Sequence, residues 1–579
     1  MKNPLSLIAF GVVCIGLLFF RVSNSDIQHD KPPLKITEWD AFGYYLYLPS
    51  VFIYHDYTHL NWVSDIDKKY AVSGGDGIQA QKCDNGNYVF KYLGGVAIME
   101  IPFFFAGHLI AKYTGYPPDG FSPPYQYALG FGVIFYCILS ILLLRKILLL
   151  YFRDLTVFIT LLLVCLGTNF IQYAAIDNGQ SHGYIFPLYV LILYTTIKWH
   201  KRPGMVWASL TGYIIGLATI SRPTEAIMLF IPLLWSTHTK EAAREKWSLV
   251  KKHKSHIVLA GIFGLVGILP QLIYWKIVTG NFIYDVGSKW RFLNPYFRVL
   301  FGWEKGWFIY TPITVFFIIG LFFIKKFPFR KSVIWFCLLN IYIVIAWDDW
   351  RYGGSYSTRA LVQSYPVFAL PFAAVIEIIS QKKWRAVFYI LCAYLLLVNL
   401  FQITQYCSTV LHYNDMNRQY YGRIYLNPHP SPTDMSLLDN DEVLNNEGKY
   451  HKRVIMHTDS SFFVHFSGNS SMMIGQAAID KNNTGASIKK AWLKIESEIK
   501  APNCLWQSYL NAELQAGDRV KKARVRLFSP ISKDEQTNKY CFYMSIPENF
   551  EPCRLKLYIN SPFNFDGNVQ KITVTQFEK

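Results

Sequence analysis

Between residues 5 and 405 one pattern recurs: apolar runs, separated by short polar segments, the longer of which approach the roughly 30 Å of a bilayer core when coiled as an α-helix. The runs fall at 5–20, 125–144, 156–173, 184–197, 206–220, 225–235, 257–275, 308–324, 333–347, 361–379 and 386–405. They predict an α-helical polytopic membrane protein with about eleven transmembrane helices. In the tail the pattern changes to period two, as in Ala491-Trp492-Leu493-Lys494-Ile495-Glu496, Ala523-Arg524-Val525-Arg526-Leu527-Phe528 and Arg554-Leu555-Lys556-Leu557-Tyr558-Ile559. Alternation of that kind marks half-buried strands. The expected organisation is a transmembrane domain over 1–411 with a large first outer loop at 21–124, a linker at 412–440, and a β-sandwich domain over 441–579.

Composition agrees with this reading, since 52% of the 579 residues are hydrophobic, 17% aromatic and only 17% charged. The net charge of +18 would suit a nucleic-acid partner if the cations gathered on one surface. They fall instead in short clusters between apolar runs: Arg145-Lys146 with Arg153, Lys198 with Lys201-Arg202, Lys240 through Lys254, Lys325-Lys326 with Arg330-Lys331, and Lys382-Lys383 with Arg385. Clusters so placed mark cytoplasmic loops, and the expected partner is membrane lipid, not nucleic acid.

The same clusters set an expected topology, with the N-terminus cytoplasmic and the β-domain extracytoplasmic. A full crossing at 94–110 would send the Arg145 cluster outside, so that stretch is expected to be re-entrant or interfacial. No clean cleavage site precedes Arg21, and the first run reads as a retained signal-anchor helix. The expected setting is a bacterial inner or plasma membrane.

Five cysteines, Cys14, Cys137, Cys165, Cys337 and Cys392, lie inside apolar runs and suit packing. In the tail, one pair among Cys504, Cys541 and Cys553 is a candidate disulfide. No phosphate-cradling glycine loop, zinc-protease motif or nucleophile elbow occurs, so nucleotide-driven and triad chemistries have no support.

The polar oddities collect in the segments expected outside. They are Glu38 and Asp40 in Thr37-Glu38-Trp39-Asp40-Ala41-Phe42-Gly43; Lys91; His182 in the turn from Ile176 to Gly183; Arg222 at the break Ser221-Arg222-Pro223; Lys305; and Arg351 and Arg359 in Trp350-Arg351-Tyr352-Gly353-Gly354-Ser355-Tyr356-Ser357-Thr358-Arg359. A carboxylate beside several cations can take a proton while the cations hold a departing anion. Each residue also has a plainer reading. Asp40 can cap the helix that follows, Arg222 can pair with Glu225, and Lys305 and Arg351 can be loop charges beside Glu304 and Asp349. Trp39, Tyr44, Tyr45, Tyr47, Trp303 and Trp307 can stack on sugars or belong to the interfacial aromatic belt.

Four stretches carry a family resemblance: the acidic first loop at Glu38 and Asp40; Lys91-Tyr92-Leu93-Gly94-Gly95 with Pro102-Phe103-Phe104; Gly216-Leu217-Ala218-Thr219-Ile220-Ser221-Arg222-Pro223-Thr224; and Trp350 through Arg359. In these the chain resembles the GT-C superfamily of integral-membrane glycosyltransferases, which includes the protein O-mannosyltransferases and the lipid A aminoarabinose transferase. The resemblance implies a GT-C-like fold, an inverting transfer from a polyprenyl-phosphate sugar, and an acceptor that is a glycan, lipid or protein. It implies Asp40 as base, with Glu38 orienting the acceptor or joining Asp40 in holding a divalent cation, Mg or Mn. Lys91, Arg222, Arg359, Lys305, Arg351 and His182 are the candidate phosphate partners. The first loop reads Glu-x-Asp where the protein mannosyltransferases have Asp-Glu, so the acceptor does not carry over. The alternatives are a transporter or flippase of lipid-linked saccharide, a polysaccharide ligase or polymerase, and a membrane anchor presenting the β-domain.

Overall fold

The structure is a computed structural model that describes residues 3–27, 36–73, 77–479, 491–500, 507–527, 537–548, 550 and 552–579, with side chains described from 3–23 and from 36 on. It divides into two compact units, Met1–Ile403 and Thr404–Lys579.

Among the described residues six helices are long and apolar enough to cross a membrane: Pro4–Ser23, Gly95–Thr114, Pro123–Leu148, Lys254–Thr279, Arg359–Ile379 and Arg385–Cys407. Shorter apolar helices lie at Asp154–Leu166, Met205–Ser221 and Pro223–Leu234. Their outward faces carry exposed Ile8, Ile15, Phe19, Val258, Leu265 and Ile390. Side chains of that kind need a hydrocarbon solvent, and the chain is an integral membrane protein.

Helix ends in the first unit sort into two layers. In one, Ser6 N donates to Asp154 Oδ1 at 3.0 Å, Arg145 Nε donates to Ser6 Oγ at 2.8 Å, and Arg153 pairs with Glu377. At the other end of the same helices, Arg21 reaches Asn178 Oδ1 at 3.3 Å and Gln126 Oε1 accepts from the Ile36 amide at 2.8 Å. The first helix runs on to Ile27, so Arg21, expected at the start of a loop, is a buried helical residue whose guanidinium also reaches the Ala175 and Ile176 carbonyls.

The stretch expected to be re-entrant is one continuous helix, Gly95–Thr114. It packs antiparallel along the first half of Pro123–Leu148: Tyr136 Oη donates to the Met99 carbonyl at 3.0 Å, and Gly107 lies against the Tyr125 backbone. Gly107 thus lies beside the start of Pro123–Leu148 and Met99 beside its middle. Upstream, the segment 36–73 folds into short helices around Phe42, Tyr45, Leu46, Val63, Phe104 and Phe121. Tyr44, Tyr45 and Tyr47 are thus packed inside the protein, and Trp307 is fully buried with its Nε1 donating to Tyr365 Oη at 3.0 Å.

In the second unit the alternating segments form two antiparallel sheets. One has the order Ser470–Ile479, Cys553–Ser561, Tyr509–Ala516, Arg519–Arg526. The other has the order His451–Thr458, Phe565–Glu578, Ala491–Lys500, Asn538–Ile546, with Phe462–Phe466 also pairing Phe565–Glu578. Leu493, Ile495, Leu510, Phe542, Leu555 and Leu557 share one core between them. The period-two reading holds in the strand Cys553–Ser561, where Leu555, Leu557 and Ile559 are buried and Arg554 is exposed. Cys541 is a free thiol beside the Thr433 hydroxyl, so it forms no disulfide, and Cys504 lies outside the described residues.

The stretch read as a linker folds with this unit. Ser431 and Asp434 close a capping box on Pro432–Ser436, Asn440 Nδ2 donates to the Tyr543 carbonyl at 2.6 Å, and the Arg526 guanidinium grips Asp439 at 2.6–3.0 Å. Prolines and asparagines here serve caps and turns, which composition alone does not tell apart from a flexible tether. Asp439 is 4% exposed. Arg526→Met strands that carboxylate, and we expect a loss of about 3–5 kcal/mol from this unit, read as faster hydrogen exchange of its strands. The double replacement with Asp439→Leu should cost less than the single one.

Candidate active site

Asp40 opens the short helix Asp40–Tyr45, but its side chain does not cap it. Trp39 before it has φ 53° and ψ −124°, a backbone setting that bulky residues rarely adopt. The turn aims the carboxylate inward. Asp40 Oδ1 accepts from Tyr92 Oη at 2.6 Å, and Oδ2 accepts from the Arg359 guanidinium at 2.5 Å across 319 residues of sequence. The pair is mostly enclosed, with side chains 27% and 11% exposed.

Two glycines make this approach possible. A Cβ on Gly43 would lie 2.2 Å from the Tyr92 ring, so only glycine lets Tyr92 come close enough to reach Asp40. A Cβ on Gly95 would lie 2.3 Å from Ser221 Oγ, so the Lys91–Gly95 motif docks on the end of Met205–Ser221, one residue before Arg222. Gly94 N donates to Gln271 Oε1 at 2.8 Å and fixes the same corner.

Arg222 stands where the sequence predicts a helix break. Met205–Ser221 ends, Arg222 is extended, and Pro223–Leu229 continues as a 3-10 turn. Its NH1 lies 3.4 Å from His182 Nδ1, which in turn is 2.8 Å from Gln363 Oε1. Gln363 Nε2 donates to Glu225 at 3.1 Å, and Tyr189 and Thr224 hydroxyls also donate to Glu225. This buried chain holds the Arg222 corner against the turn of Arg359–Ser364. A second donor of Arg359, NH1, reaches Gln180 Oε1 at 3.2 Å.

The electrostatics follow from these contacts. Burial acts to raise the Asp40 pKa, but the Arg359 charge, the hydrogen bonds from Tyr92 and Arg359, and the more distant Lys91 charge outweigh it. Asp40 is therefore held below the ordinary carboxylate range. Burial and the Asp40 charge push the Tyr92 phenol well up, so it stays a donor.

The eight residues singled out from the sequence do not all converge. Asp40, Arg359, Lys91, Arg222 and His182 gather at one end of the bundle, with Lys91 Nζ over the Tyr92 ring at 5.5 Å. Glu38 contributes to the turn, its carbonyl accepting from Ala41 N at 3.0 Å. Lys305 is buried with its ammonium on the Arg351 and Gly353 carbonyls, where it shapes the turn before Arg359. Arg351 is exposed and stacks on Trp350 at 4.9 Å. Tyr92, Gln180, Glu225 and Gln363 were not singled out as site residues. Tyr92 carried a signal inside the Lys91–Gly95 motif, Gln180 in the turn from Ile176 to Gly183, and Glu225 as the partner weighed for Arg222.

Both Asp40 oxygens already accept from strong donors, and among the described residues no group of three or more His, Cys, Asp or Glu is arranged to hold a metal.

No family model matches the sequence, and no curated protein matches it. Three solved structures align with part of the chain. The apo oligosaccharyltransferase of Archaeoglobus fulgidus aligns with a TM-score of 0.41 at 12% identity, over 73% of this chain and 58% of that one. Apo ArnT of Cupriavidus metallidurans aligns at 0.35 and 13% identity, over 58% and 60%. Arabinosyltransferase EmbB of Mycobacterium smegmatis aligns at 0.30 and 8% identity, over 77% and 57%. The chain thus spans 57–60% of the length of these three structures. The likeness is one of outline, and the chemistry is read from this chain's own side chains.

Proposed function

We propose that this chain moves a sugar from a polyprenyl-phosphate carrier to an acceptor glycan, lipid or protein at the extracytoplasmic face of a membrane, with inversion at the anomeric carbon. The observation that carries the reading is the Asp40–Arg359 pair at 2.5 Å, set with Lys91, Arg222 and His182 at one end of a bundle of membrane-length helices. An anionic proton acceptor beside several cations at that depth suits the splitting of a glycosyl phosphate. The motif resemblance to GT-C glycosyltransferases supports the same class.

In this reading the acceptor hydroxyl attacks the anomeric carbon from the face opposite the phosphate. The bond from that carbon to the phosphate oxygen breaks, its electron pair stays on the phosphate, and the hydroxyl proton passes to Asp40. At rest Asp40 is neutralised by Arg359. The donor phosphate competes for that guanidinium, and its arrival removes the counter-charge from Asp40 and raises the basicity of the carboxylate. Lys91 and Arg222 would add to phosphate binding, and Tyr92 keeps Asp40 oriented. Glu38 would orient the acceptor. The cation clusters beside Arg145 and Arg153 lie at the opposite layer, which supports an N-terminus in the cytoplasm. A polar cleft of about 470 Å³ in the second unit, lined by Asp415, Asn469, Tyr509 and Asn560 among others, suits the acceptor glycan.

The experiment is to offer the purified chain a set of polyprenyl-phosphate and polyprenyl-pyrophosphate sugars with membrane acceptors and to follow sugar transfer. Consumption of at least one donor is expected. Consumption only of pyrophosphate-linked donors would reject the donor class. Gly43→Ala should press on the Tyr92 ring and loosen its bond to Asp40. A hydrogen bond to a charged group is worth about 1.5–3 kcal/mol, so turnover should fall about 10- to 100-fold with the helices intact by circular dichroism.

A further inference from the structure

The helix Lys254–Thr279 is the least covered of the long apolar helices, and Ile273 and Ile277 in its last turns are exposed. The chain that follows does not become polar. Phe282, Ile283, Phe292, Leu293, Phe297 and Phe301 are all exposed, by 45% at the least, and Leu293 completely. Interleaved with them are Lys289, Arg291, which pairs with Asp348, and Arg298, which lies 4.0 Å from Glu304, with Arg351 beside Arg298 because both guanidinium groups stack on Trp350.

The segment is nonetheless well anchored. Trp290 bridges Trp347, Arg291 N donates to the Ala346 carbonyl at 2.6 Å, Tyr296 N donates to the Ile345 carbonyl at 2.7 Å, and the Lys289 carbonyl accepts from Asp348 N at 3.0 Å. Further on, Thr358 Oγ1 donates to the Val299 carbonyl at 2.7 Å, which ties the segment to the residue before Arg359. It is a shaped element that turns its apolar side chains outward.

We propose that the segment 281–301 is a finger seated in the lipid leaflet that borders the site, with its apolar side chains among the acyl chains and Lys289 at the lipid phosphates. Continuity with the uncovered face of Lys254–Thr279 places the start of the finger in lipid. The alternation of large apolar groups with cations matches the junction of acyl and headgroup layers, and Trp290, Tyr296, Trp347 and Trp350 supply the aromatic belt expected there. The finger goes beyond the reading of the site and does not depend on it. Its tie to Thr358 makes the bilayer surface part of the support for Arg359.

The test is photocrosslinking of the full chain in vesicles of phosphatidylcholine and phosphatidylglycerol, with p-benzoylphenylalanine replacing Leu293 or Phe297. The same replacement at Ile262, exposed on Lys254–Thr279, reports lipid contact independently. Lipid adducts at 293 and 297 in a yield matching Ile262 are expected. Adducts to peptides of the Thr404–Lys579 unit, or absence of lipid adducts at both positions while Ile262 gives them, would overturn the proposal.

Discussion

Asp40→Asn should cut turnover of a lipid-linked sugar donor by about 10²- to 10⁴-fold, the usual worth of a positioned general base. The amide keeps the shape of the side chain and still accepts from Tyr92 or Arg359, so the short helix Asp40–Tyr45 and the bundle should stay folded. What it loses is the charge that, in the proposed reaction, draws off the acceptor proton. Donor binding should weaken little, or even tighten, because Arg359 no longer has a carboxylate competing with the donor phosphate. A fall in kcat with KM unchanged or lowered is therefore the expected signature. If Asp40 only held Arg359 in place, KM would rise and kcat would stay.

Replacement of Arg359 should be nearly as damaging, with a different pH dependence. In the proposed reaction Arg359→Gln removes the main cation facing the departing phosphate, and loss of one such group typically costs about 10²- to 10³-fold in kcat. In the native protein burial favours the neutral form of Asp40, yet Arg359 and Tyr92 outweigh it and hold the pKa below the ordinary carboxylate range. The acid limb of kcat/KM should then lie below that range. A carboxylate with a depressed folded pKa also stabilises the protein at pH above its unfolded value near 3.9, roughly, and that stability is lost as pH falls through the folded value. In Arg359→Gln the burial effect is no longer outweighed by the guanidinium, and both the acid limb and the loss of stability should move to higher pH. Unmoved profiles would mean that Arg359 does not set the protonation of Asp40. The double variant with Asp40→Asn should lose less than the product of the two single losses, because the two groups act as one unit.

Much of the architecture was legible because it rests on period. The strand Cys553–Ser561 buries the apolar residues its alternation marked, and the helix break at Arg222-Pro223 follows from the missing amide and the steric bias on the preceding residue. Asp40 and Arg359 were each legible as chemistry. Their pairing was not, since no local rule joins residues 319 apart.

The misplacements have the same origin. Lys305 and Arg351 share a charge and a loop region, yet one is buried on carbonyl groups and the other lies on the surface against Trp350. Only the course of the 347–354 turn decides between those fates. The stretch 412–440 has the composition of a tether, and its structural role appears only once Asp439 meets Arg526 and Asn440 meets Tyr543. Tyr92 was hidden for a further reason. Its hydroxyl matters because Gly43 leaves room for the ring, a fact about two backbones rather than about either residue.

In the proposed reaction these side chains split the bond between an anomeric carbon and a lipid phosphate. That step is tested most directly by following the phosphorus resonance of a polyprenyl-phosphate sugar in vesicles holding the purified chain and an acceptor. The phosphodiester signal should give way to that of a phosphomonoester with the native protein and persist with Asp40→Asn. Equal conversion by both, or a phosphodiester untouched by the native protein across the donors offered, would contradict it.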